Sequence, residues 1–330
     1  MYLCANFQSI GMLNRRILRI KAFKVLYAKA LSGNMNLSDA QAQLEQSCEA
    51  TRDLYLYMLG IVSPLTKIAE SRIKALKAKF NPTEEERNPN MKFAENALAK
   101  LLDEDVDFQK LFAKKKFSWA QYDLLLKQIL RSVSTKDYYA EYMASPERSL
   151  EEDCRLFIRI FEEELDECEE LARILEDKSI YWNDDLGYAL TWCCRTFKSL
   201  ASGTSWKLPP LYQSDMLTGS DIESDSLFVK RLLRASFTNY DAYSTMVAEA
   251  VNGWEKERLF STDVVLIVMG LAEAVTFPEI PVKVTINEYV EIAKFFGTPK
   301  SRAFVNGLLD RLIQRMTEEG TIVKTGKGTM

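Results

Sequence analysis

The sequence predicts an all-α protein, on three observations. Apolar residues recur at i, i+3, i+4 and i+7 in segment after segment, helix-starting and helix-ending residues bracket those segments, and residues 261–275 are apolar nearly all round, as in a central helix enclosed by others. The clearest pair of helices lies between residues 281 and 313. Thr285 and Glu288 have the spacing of a capping box, and Ile286, Tyr289, Val290, Ala293 and Phe296 form one stripe behind it. Gly297 is expected to end that helix in the left-handed conformation, with Thr298 as N-cap and Pro299 as first position of the next. The second helix buries Val305, Leu308, Leu309, Leu312 and Met316. Phe304 lies at the edge of its stripe, four residues after Lys300, three before Gly307 and seven before Arg311. A ring between two cations, beside a residue with no side chain, can stack a base; an ordinary boundary core residue has the same spacing.

Toward the N-terminus, residues 14–31 predict a helix with Arg15, Arg16, Arg19, Lys21 and Lys24 and no acid among them. Its apolar stripe is Ile20, Phe23, Leu26, Tyr27 and Ala30, and Arg16 and Arg19 prolong that stripe by a turn. Guanidinium forks match phosphate oxygens, although a cationic helix face is also compatible with plain solvation. Residues 38–79 predict helix capped by Ser38 or Asp39, broken near Ser63 and Pro64, and residues 81–90 a polar linker. Residues 91–226 predict further helices. One is capped by Ser149 and Glu152 and runs about seven turns through Cys154, Phe157, Phe161, Leu165, Cys168, Ala172 and Leu175. Another spans residues 181–200, with Leu186, Leu190, Cys193, Phe197 and Leu200 inward. Residues 203–226, with Pro209, Pro210 and Gly219, predict a loop, and helices resume from Leu227 and Phe228 toward Trp254.

Composition narrows the function. Histidine is absent from all 330 residues, which removes imidazole acid–base chemistry and histidine metal sites. The six cysteines form no C-x-x-C pair, so neither a zinc site nor a disulfide framework is expected. No Gly-rich cofactor loop is present, and no metal or cofactor is expected. A net charge of −4 means that any nucleic-acid contact must come from a local basic patch. No apolar run approaches the roughly 20 residues of a membrane helix, and the N-terminal arginines follow the apolar residues, the reverse of a secretory signal. A cytoplasmic location is expected, with Met12 an alternative start to Met1.

Ile286, Asn287, Glu288, Val290, Glu291, Ala293, Lys294, Phe296 and Gly297, followed by Ser301, Phe304, Val305, Asn306, Gly307, Leu309 and Asp310, resemble the C-terminal signature of the NusB family. Arg15, Arg16, Arg19, Ala22, Leu26 and Tyr27 are similar to that family's arginine-rich first helix, with Ile17 and Ile20 as departures where the family often carries charge. The resemblance implies a helical bundle of two three-helix subdomains. Residues 1–80 and 227–330 would supply them, with residues 81–226 as a helical insertion and linker. It implies a non-catalytic RNA-binding transcription antitermination adaptor that binds boxA-type single-stranded RNA with NusE, a small-subunit ribosomal protein, in the RNA polymerase antitermination complex. By position, Arg15, Arg16 and Arg19 would hold phosphates, Lys300, Ser301, Arg302 and Phe304 would lie at the RNA surface, and Asp263 would face the protein partner. Two other functions fit the same fold: a protein-only scaffold that has lost RNA, and an accessory domain of a ribosomal RNA methyltransferase.

Overall fold

Helix α1 (Arg15–Ser32) starts where Asn14 Oδ1 accepts the Ile17 N–H at 3.0 Å, satisfying one of the donors a helix start leaves open. The computed structural model that shows this describes residues 11–213, 225–251 and 261–329; Gly219 and Trp254 lie outside them. Among the described residues there is no strand, and no helix is long and apolar enough to cross a membrane. The chain divides into two units, residues 9–48 with 210–330, and residues 49–209. The dividing points differ from the expected 80/81 and 226/227. The long helix α2 (Leu37–Leu59) runs through the first of them, and residues 62–77 pack on helices of the supposed insertion.

Asn36 Oδ1 accepts the Asp39 N–H at 2.9 Å, so Asn36, rather than Ser38 or Asp39, caps α2. The next helix, α3 (Val62–Lys77), opens after a break at Gly60 and Ile61. Pro64 falls in its first turn, where the missing N–H costs nothing, which is why the expected break comes earlier. The polar linker holds a single turn, α4 (Glu84–Arg87), closed by a reciprocal capping box between Thr83 and Glu86. Then come α5 (Ala97–Glu104), α6 (Val106–Lys114), α7 (Asp123–Val133), α8 (Asp137–Ala144) and α9 (Leu150–Ile160). Ser149 caps α9, but Glu152 does not return the bond: its carboxylate meets Lys92 Nζ at 2.7 Å. The expected seven-turn helix is interrupted. After α9 comes a π turn at Phe161–Leu165, then α10 (Glu169–Lys178). The interruption shifts the buried face by one residue, so that Leu171 is buried and Ala172 exposed. In α11 (Leu186–Ala201) all five expected residues are buried, including Cys193.

The second stretch of the first unit adds α12 (Asp225–Thr238), α13 (Tyr240–Ala250), α14 (Ser261–Thr276), α15 (Val282–Phe296) and α16 (Ser301–Glu318). Helix α14 is the axis, packed by α1, α12, α13, α15 and α16 and buried on every side from Val265 to Ala274. Its encirclement is what a nearly continuous apolar pattern demands. Helix α15 begins at Val282 rather than Thr285, with Pro281 as N-cap. Thr285 therefore sits a turn inside, and no capping box with Glu288 forms. Gly297 is extended (φ −100°, ψ −175°), not left-handed. What requires glycine is closeness: a Cβ there would lie 2.5 Å from Ser301 Cβ and 2.7 Å from Ala293 O. Thr298 and Pro299 form a turn before α16, closed by the Ser301 N–H donating to Thr298 O at 2.9 Å.

Candidate nucleic-acid interface

The cations of α1 do not share one fate. Leu18, Ala22, Phe23, Val25 and Leu26 are its buried apolar residues, while Ile20, Tyr27 and Ala30 are only half-buried. That face takes Arg19 and Lys21 inward as well. Arg19, 3% exposed, forks onto Glu273 of α14 with Nε–Oε2 2.7 Å and Nη2–Oε1 2.8 Å. Glu273 is wholly buried and also accepts from the Thr285 hydroxyl and the Tyr289 phenol, each at 3.0 Å. Each carboxylate oxygen thus has two donors, the condition under which a buried ion pair is tolerated. Burial alone would push the Arg19 guanidinium down, and Glu273 more than reverses this. Burial and then Glu273 hold the Tyr289 phenol well above its ordinary value. Arg19 is therefore a structural residue, and the expected phosphate contact is corrected on that ground. A lone Glu in an apolar helix carried the signal, since a buried carboxylate must find partners.

Arg16 faces outward, and Arg15 is half-buried. Arg16, with half its side chain exposed, forks onto Glu288 of α15 at 3.0 and 2.7 Å, and this bond holds the Glu288 carboxyl below its usual range. One turn on, Glu291 feels Lys294, then Arg16 and Arg302, each of which lowers it. Arg16, Lys294 and Arg302 thus gather around two carboxylates on one surface of α1, α15 and α16. Sequence reasoning placed Arg16 and Arg302 here but missed Lys294. Arg15 bonds Asp225 at 3.0 Å and lies 4.8 Å from the Phe228 ring centre.

Of the residues expected around the start of α16, Lys300 and Arg302 are exposed and Ser301 is not. The Ser301 hydroxyl donates to Asp263 Oδ2 at 2.9 Å and accepts the Thr298 N–H at 2.8 Å. Asp263 is 2% exposed and its carboxyl is raised by burial, against which the Ser301 bond works. These two residues pin α14 to the start of α16, and both are buried rather than presented on the surface where the sequence reading expects them. Phe304 is half-buried and lines a hollow of about 220 Å³ with Ala250, Val251, Gly307, Leu308 and Arg311. At 100° per residue, Arg302 and Phe304 point 200° apart around α16. Arg302 faces α15 and Phe304 faces the end of α13, so the ring does not join the arginine cluster.

Among the described residues no group of His, Cys, Asp or Glu could hold a metal ion. Residues 212–314 match the model of the NusB family. The transcription antitermination protein NusB of Salinibacter ruber is 33% identical over 101 residues, 31% of this chain and 63% of that protein. Its namesake in Chloroherpeton thalassium is 34% identical over 101 residues, 31% of this chain and 48% of that protein. That of Thermodesulfovibrio yellowstonii is 36% identical over 93 residues, 28% of this chain and 60% of that protein. The chain spans about half to two thirds of the length of these curated relatives, and no solved structure matches it. The family match begins after α1. Besides the apolar packing of α1 on α12 and α14, three arginine–carboxylate pairs join it to the matched region: Arg15 with Asp225, Arg16 with Glu288 and Arg19 with Glu273.

Proposed function

From the NusB family domain at residues 212–314, we propose that this protein is a non-catalytic RNA-binding antitermination adaptor. It binds boxA-type single-stranded RNA together with NusE and helps RNA polymerase read through terminators, notably on ribosomal RNA operons. The observation that supports this beyond the resemblance is the surface where Arg16, Lys294 and Arg302 gather around Glu288 and Glu291. Phosphates displace the carboxylates from Arg16 and Arg302, whose planar forks suit either oxygen pair. Lys300 adds a third contact, Arg15 flanks the cluster, and Phe304 stacks a base in its own hollow.

Affinity for a boxA-type RNA measured against salt tests it. Three phosphate contacts give a log–log slope of roughly −2, at about −0.7 per phosphate for single strands. Arg16→Ala and Arg302→Ala should each flatten that slope by about 0.7. Phe304→Ala should weaken binding by about 1–3 kcal/mol and leave the slope nearly unchanged. The engagement of all three α1 arginines by carboxylates favours a second reading, a protein-only scaffold. No RNA affinity in the wild-type chain, with NusE retained, leaves that reading standing and removes the first.

A further inference from the structure

The function proposed above uses nothing in residues 49–209, yet that unit carries a trough along α3. Its first half, about 470 Å³, is walled by Phe108, Phe112, Phe117, Trp119 and Leu126. The second half, about 550 Å³, is lined by Ala75 and Leu130 together with Arg72, Lys127 and Arg131. Ile68, Ser71 and Asp123 line both halves, so the two are continuous. From Ser63 to Ala75 the trough follows α3 for about 18 Å at 1.5 Å per residue, more than three helical turns.

Its charge is lopsided. Asp103 is already held by Lys67 at 2.9 Å and by the Ser63 hydroxyl at 3.0 Å, and Asp123 by Lys127 at 2.6 Å. Arg72 and Arg131 are exposed at the other end, and no carboxylate among the described residues pairs with either. One half is aromatic and the other presents two guanidiniums, a pattern that suits a helix with an apolar stripe and carboxylates beside it. We propose that this trough docks an acidic amphipathic helix of a protein partner, its apolar residues against the half-buried Phe112 and Phe117 and its carboxylates on Arg72 and Arg131. A nucleic acid fits less well. Trp119 stacks on Tyr57 at 4.3 Å and Phe108 meets Trp206 edge-on at 5.3 Å, so these rings are already engaged and buried.

The test is selection of helix-forming 15-residue peptides from a random display library on the 330-residue chain, with Ser71→Trp to fill the trough and Arg72→Glu/Arg131→Glu to reverse its charge. The expected result is enrichment of acidic peptides with apolar residues at helical spacing. Their binding should be lost on Ser71→Trp and weakened about tenfold or more on the double reversal. Affinity of the chain for boxA-type RNA should not change in either variant, which separates this inference from the function proposed above. Enrichment of basic or charge-indifferent peptides, equal binding to the Ser71→Trp chain, or no enrichment would each overturn the proposal. So would a loss of RNA affinity in the two variants, which would make the trough an RNA contact instead. Far-ultraviolet circular dichroism and melting of both variants confirm that any loss is local.

Discussion

Arg19 shows how far environment decides what a residue does. In sequence it stands in a row of cations; in the fold it is the buried half of an ion pair with Glu273. Removing one member of such a pair strands a buried charge. Arg19→Ala should therefore lower unfolding free energy by about 3–5 kcal/mol in urea titrations, and Arg19→Met/Glu273→Met should recover much of it. A double variant as unstable as the single one would show that the pair contributes more than mutual neutralisation. Asp263 makes the opposite case, because its carboxyl is raised by burial. A folded value above the unfolded one means that the native state holds the proton more tightly. Stability then falls as pH rises through the interval above the ordinary 3.8 and stays lowered beyond it. Asp263→Asn, which keeps an acceptor for Ser301, should be at least as stable as wild type at pH 7. Its advantage should shrink as pH falls through that interval; an advantage independent of pH would refute the assignment.

At the scale of elements, two glycines of the same bundle behave differently. A Cβ on Gly270 of α14 would lie 2.7 and 2.8 Å from the two Leu309 methyls and 3.3 Å from the Tyr289 ring. Leu309 is itself fully buried, so Gly270→Ala should cost about 1–3 kcal/mol by overpacking where α14 and α16 meet. Gly307 of α16 has nothing within 4 Å of such a Cβ. Gly307→Ala should stabilise the helix by about 0.5–1 kcal/mol while reducing RNA affinity, because the methyl projects into the hollow that Gly307 and Phe304 line. Stabilisation with unchanged affinity would argue that no base stacks in that hollow. Helix positions were largely legible in the sequence, because burial at 3.6-residue spacing leaves a direct imprint. Caps were less so. Asn36 caps α2 in place of Ser38 or Asp39, and Pro281 starts α15 in place of Thr285, whose hydroxyl is taken by Glu273 of the neighbouring α14. The π turn after α9 was invisible for a similar reason, since an apolar run satisfies either register until its neighbours choose one.

Across the whole molecule, each of the two units has its own buried core, and the chain passes between them within α2 and again at residues 209 and 210. Units with separate cores unfold separately by default. Calorimetry should resolve two heat-absorption transitions, with Arg19→Ala lowering only one. A single transition that moves as a whole would mean that the units are thermodynamically one.

By itself the sequence determined the helical class, the enclosure of residues 261–275, the exclusion of histidine chemistry and the resemblance carried by residues 286–310. These follow from periodicity and residue type, which are local. Only the tertiary structure decided that Arg19 turns inward and Arg16 outward, that Asp263 clamps Ser301, and that Phe304 looks away from Arg302. The reason is that a charged side chain's role depends on which carboxylate the fold brings within about 3 Å. In this chain those partners stand 38 to 272 residues away.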